Sequence, residues 1–139
     1  MNAPAFSIFS AISELFVTAG VLYVIVRNWG RRRFPFPLFL AVVLFEGLVN
    51  VLYMSQRASL ASSGATPIPS GMRLFYALHG VGSLFAYITF VVLGVFAHQD
   101  QKQGRFFFPS HPVLTWIFLV VWVVSVASGE ALFVARYLL

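Results

Sequence analysis

Cysteine is absent from this 139-residue chain, and acidic side chains number four against nine Lys and Arg, leaving 9% of the residues charged. Without a thiol there is no disulfide, no thiolate nucleophile, no Cys-ligated iron–sulfur cluster and no soft Cys copper site. A soluble domain usually gives about a quarter of its residues to charge, so this chain lacks the polar material to cover a water-exposed surface. It also has no phosphate-cradling glycine loop, no serine triad and no H-E-x-x-H motif. Familiar hydrolases and ATP-driven pumps depend on those constellations.

What is present is apolar. Hydrophobic residues make up 60% of the chain, mean hydropathy is +0.88, and the apolar residues gather into blocks. Each block is about as long as a hydrocarbon core is thick. The expected fold is therefore all-α, an integral membrane four-helix bundle with helices over about 8–28, 37–56, 73–98 and 112–138. Residues 1–139 form a single transmembrane domain with no room for a separate soluble catalytic unit. The flank Met1 to Ser7 has no Lys or Arg, and the first block outlasts a signal-peptide core, so it reads as a retained helix. Residues 57–72 are rich in Ser, Gly and Pro and read as a polar loop on the outer side.

The basic residues set an orientation. Connections one and three hold Arg27, Arg31, Arg32, Arg33, Lys102 and Arg105, whereas the opposite side holds Arg57, Arg73 and Arg136. The positive-inside bias places the first group in the cytoplasm, with both termini and the 57–72 loop outside. The net charge of +5 is then explained by anionic lipid headgroups, and no nucleic acid is required. Trp29, Phe34, Phe36 and Phe106 to Phe108 crowd the inner side, where aromatic rings suit the interface. The phenylalanine run is equally explained as an interfacial segment or as a tight packed turn.

Counting about 1.5 Å of rise per residue converts position into depth. Glu14 and His79 fall about 9 Å inside their blocks, and Asn50 and Glu130 about 10 to 12 Å. Each helix thus contributes a polar group to one layer, with Glu46 a turn deeper than Asn50 and Tyr53 a little shallower. Isolated carboxyls at such depth are costly and should face one another, water or a ligand. The candidate polar core is Glu14, Glu46, Asn50, Tyr53, His79 and Glu130, with Tyr76 and Ser83 spaced to orient the His79 ring.

Three uses of this layer compete. A metal could bind His79 together with Glu14, Glu46 or Glu130, although the Glu-x-x-His pair of a di-iron bundle is missing. Burial favours the neutral form of a carboxyl, which suits proton exchange or a hydrogen bond to a quinone-like ligand. The simplest use is helix locking, since membrane bundles use polar contacts as packing glue. His79 alone could ligate haem, but His98 lies nineteen residues further along, roughly 28 Å in a straight helix. His98 and His111 form a separate candidate pair across connection three. Gly80, Gly82 and Gly94, with Gly20 and Gly47, read as points of close helix approach.

The run FxxxxNVLYM at Phe45 to Met54 with Arg57 after it, FYALH at Phe75 to His79 with Gly82 and Ala86, and HPVLTWIFLVVW at His111 to Trp122 with Gly129 and Arg136-Tyr137-Leu138 resemble a known family. This is the uncharacterised four-helix membrane family called domain of unknown function 420, part of which occurs beside haem-copper oxidase and haem-biosynthesis genes. The resemblance covers about Leu22 to Leu138. By resemblance, His79 and His111 match two recurring histidines of the family. A further histidine expected in the first connection is replaced here by Arg31-Arg32-Arg33-Phe34-Pro35.

The resemblance implies an accessory or assembly component of a respiratory-type membrane complex, chiefly structural rather than catalytic by itself, in a prokaryotic inner or plasma membrane. Its partners would be lipids and a larger membrane protein or an oligomer. The rival expectation is a self-contained protein holding haem, quinone or a metal in the polar layer. A third is a small proton or ion carrier.

Overall fold

The computed structural model describes residues 3–64 and 67–139. The described chain is all helical: α1 (Ala5–Trp29), α2 (Phe36–Ser62), α3 (Ser70–Lys102), the short α4 (Phe107–Ser110) and α5 (Pro112–Tyr137). α1, α2, α3 and α5 are each long and apolar enough to cross a bilayer. The chain is an integral membrane protein. With four crossings both termini lie at one end, as does the α2–α3 connection. We keep "inner" for the opposite end, which carries Arg27, Arg31 to Arg33, Lys102 and Arg105.

Sequence chemistry explains the helix limits. Pro37 and Pro112 sit in the first turns of α2 and α5, where a missing N–H costs nothing. The α2–α3 connection is shorter than expected. α2 runs on to Ser62 and α3 begins at Ser70, so helix covers 57–62 and 70–72; Ala65 and Thr66 lie outside the described residues. The serines that suggested a loop fold back onto their own helix, Ser62 donating to the Ser59 carbonyl and Ser63 to that of Leu60. Ala58, Leu60 and Ala61 supply helix propensity between them. α2 gives way after Ser63 to Gly64 at φ +69°, a left-handed conformation that glycine adopts without a Cβ clash. α3, with 33 residues, is about 50 Å long and overruns a hydrocarbon core of about 30 Å.

The four long helices form a ring in the order α1, α2, α3, α5, with the closest pairings between α1 and α2 and between α3 and α5. Packing is concentrated at the inner end. Val17, Val21, Val24 and Ile25 of α1, Phe39 and Val42 of α2, Ala86, Phe90, Leu93 and Ala97 of α3, and Phe118 and Trp122 of α5 are all buried. At the centre, Phe90 meets Phe39 edge-on at 5.2 Å between ring centroids and lies 5.7 Å from Trp122 and 6.0 Å from Phe118. The phenylalanine run proves to be a packed plug: Phe107 and Phe108 are buried in α4, beside the equally buried Phe34. Fully buried Asn28 fixes this plug by accepting from the Phe108 N–H at 3.3 Å. Gln101 accepts from the Phe34 N–H at 2.9 Å.

The outer half is looser. No residue of α3 before Ala86 and none of α5 after Trp122 is fully buried. The glycines report the same gradient. A Cβ at Gly94 would fall inside the Phe39 ring, and one at Gly20 would stand 2.9 Å from Val42 Cγ2. At Gly80 and Gly82 it would meet nothing within 4 Å, so these two are not the contact points the sequence suggested. Outward surfaces are apolar, with Phe16, Phe75, Phe85 and Phe96 exposed, as lipid contact requires.

Candidate functional site: a polar layer in the outer half

The helices begin a little before the apolar blocks. Glu14 stands nine residues into α1 and His79 nine into α3, about 13 Å along each axis. Two groupings occupy this level.

The first is a set of carboxyls. Glu46 of α2 is buried, and Glu14 of α1 lies near it, with Glu130 of α5 within electrostatic range of Glu14. Asn50 Nδ2, one turn outward, donates to Glu46 Oε1 at 2.7 Å and to the Glu46 carbonyl at 2.9 Å. Asn50 itself is exposed.

The second grouping joins α3 to α5. His79 Nδ1 lies 2.8 Å from Ser128 Oγ, and Ser83 Oγ lies 2.8 Å from Ser125 Oγ. Ser128 gives its single hydroxyl proton to the Ser125 carbonyl at 2.7 Å. With that proton placed there, its oxygen accepts from His79 Nδ1–H, the tautomer that leaves Nε2 as the ring's acceptor. Gly129 makes room for the ring, since a Cβ there would be 2.8 Å from His79 Cε1. Gly129→Ala is expected to push the imidazole off Ser128. The change should shift the His79 ring resonances in an NMR spectrum and lower stability by about 1 to 3 kcal/mol. Unchanged resonances would contradict this geometry.

The remaining candidates divide. Ser83 approaches the His79 ring at 3.4 Å, whereas Tyr76 turns away to two arginines, Arg57 at 5.3 Å and Arg136 at 5.7 Å from its ring centroid. Tyr53 stacks on Phe6 at 6.2 Å and lies under Arg57. His98 stacks on Phe36 at 3.9 Å, and His111 stacks on Phe107 and donates through Nδ1 to its carbonyl at 2.9 Å. Each of these histidines is thus engaged by its own aromatic neighbour. Among the described residues no three His, Asp or Glu side chains come together as a metal-ligand set. His79 and the carboxyls remain separate groupings.

Sequence reasoning missed Ser125 and Ser128. Their signal was present as Ser-x-x-Ser-Gly in a helix otherwise rich in Val, Leu and Phe, spaced to face His79 and Ser83 one turn apart. Between α2 and α3, Tyr87 also escaped notice. Its hydroxyl donates to the Val43 carbonyl at 2.9 Å, close over Gly47.

Compared with protein-family models, curated proteins and solved structures, the chain matches none of them.

Proposed function

We propose that this chain is a small accessory or assembly component of a larger membrane complex, structural in its own contribution. Asn50 carries the reading. It lies seven residues beyond Val43, on the face of α2 that meets Tyr87 of α3, yet two turns further out it is exposed. Among the described residues its Oδ1 accepts no hydrogen bond. A primary amide at the edge of an open helix seam in hydrocarbon is best satisfied by a helix from another chain. The respiratory type of the complex, and a prokaryotic inner or plasma membrane as its place, rest on the resemblance of the Phe45 to Met54, Phe75 to His79 and His111 to Trp122 runs.

The absence of cysteine makes the test direct. Met54→Cys, one turn outward of Asn50 and exposed, is expected to cross-link in native membranes to one larger protein in near-stoichiometric yield. Phe16→Cys, on the exposed face of α1, should not. Adding Asn50→Val to Met54→Cys should cut the yield about tenfold, the size of one interhelical amide contact. A monodisperse monomer with both positions equally unreactive would defeat the proposal.

The convergence of Glu14, Glu46 and Glu130 from three helices favours a second reading, a protein that holds a proton or a hydrogen-bonded ligand of quinone type by itself. Metal analysis and an optical spectrum on the mildly extracted chain separate the two. Stoichiometric haem, quinone or metal in an isolated monomer would favour this second reading. Ion conduction has less support, because Phe39, Phe90, Phe118 and Trp122 fill the bundle on the inner side of the layer.

A further inference from the structure

At the outer end, two cations converge where repulsion should keep them apart. Arg57 comes from α2 and Arg136 from α5, yet both guanidinium groups lie against Tyr76 of α3, with Cζ 5.3 Å and 5.7 Å from its ring centroid. Those two distances cap their separation at about 11 Å. Arg57 also lies 5.7 Å from the Tyr53 ring and Arg136 5.5 Å from the Tyr137 ring. Cation–π contact explains how each arginine is held. It does not neutralise either charge.

No acidic group does so either. The one ion pair among the described residues joins Arg105 to Asp100 at the inner end. Arg136 Nη1 is buried and has no hydrogen-bond partner among the described residues, and a buried N–H of a charged group without an acceptor is costly. The Tyr53 and Tyr137 rings beside the two arginines carry hydroxyls that could donate alongside them. Two guanidinium forks on one tetrahedral oxyanion need to stand roughly 8 Å apart, within the permitted range.

We propose that Arg57, Arg136 and the tyrosines around them form a binding site for one phosphate-class oxyanion at the outer end of the bundle. Both charged forks are presented, their rings hold them in place, and the missing component is the anion. Arg57 stands five residues before the end of α2 and Arg136 lies in the last turn of α5. This puts the site within about 8 Å of the helix ends, at phospholipid headgroup level. A phospholipid phosphate and free inorganic phosphate share this chemistry.

Native mass spectrometry of the mildly extracted chain should show one retained phospholipid. Retention should fall about tenfold in Arg57→Gln and in Arg136→Gln. It should fall only partly in Arg57→Lys and Arg136→Lys, which keep charge and packing but lose the bidentate fork. Arg73→Gln is the control, an exposed arginine at the same end of the bundle whose guanidinium donates to the Ile68 carbonyl. Delipidated protein is then titrated separately with inorganic phosphate and with nanodiscs containing phosphatidylglycerol. Saturable binding of either, sensitive to Arg57 and Arg136 but not Arg73, supports the site and identifies its source. If the Arg57 and Arg136 variants match Arg73→Gln in every arm, or if the wild-type chain binds neither probe, the proposal is overturned.

Discussion

Gly94→Val is expected to destabilise the bundle by about 3 kcal/mol or more, the upper range for overpacking a filled core. The added Cβ would fall inside the Phe39 ring. That ring has no free direction in which to move. It is 2% exposed and sits between Phe34 at 5.4 Å, Phe36 at 5.9 Å and Phe90 at 5.2 Å. Denaturant titration in mixed micelles measures the loss, and Phe39→Leu combined with Gly94→Ala tests its cause. If the clash is the reason, the pair should recover part of what Gly94→Ala alone loses, a coupling expected only between touching residues. Identical stability of Gly94→Val and wild type would rule out this close approach of α2 and α3.

Phe90→Ala is the second large effect. In water such a truncation loses both transfer energy and packing. In a bilayer the unfolded-state ring already rests in lipid, so the transfer part largely disappears and the void remains. A cavity of roughly 100 Å³ costs about 2.4 kcal/mol by the volume relation from soluble cores. Phe90, 1% exposed, touches rings on α2 and α5, so little can collapse into the space. Phe16→Ala, at a 75% exposed position, serves as the contrast and should cost close to nothing. Equal losses for the two would mean that the inner core is not packed as described.

Element identity was legible in the sequence because hydropathy over a helix length is a strong signal in a membrane chain. Relative level was legible too, since Glu14 and His79 stand equally far into their helices, as one rise per residue gives. Rotation about each helix axis was not. When both the lipid and the core are apolar, the pattern of Val, Leu and Phe does not say which face is inward. Spacing alone therefore points to Gly80 and Gly82 as contacts and passes over Gly129, and it turns Tyr76 to His79 instead of to the arginines. Carboxyls such as Glu14 and Glu46 give a stronger cue to rotation, because charge in hydrocarbon has few tolerable directions. The α2–α3 connection misled for a different reason. Serine favours turns, but at the wet end of an established helix it bonds to a carbonyl three or four residues back and prolongs the helix.

Dense rings at one end and slack at the other make the bundle resemble tweezers gripped at their hinge. Lateral pressure on the inner leaflet meets close-packed side chains of low compressibility and moves nothing. The outer ends, joined by the polar contacts of α3 with α5 and by the two arginines over Tyr76 instead of by interlocked rings, are the more compliant part of the bundle.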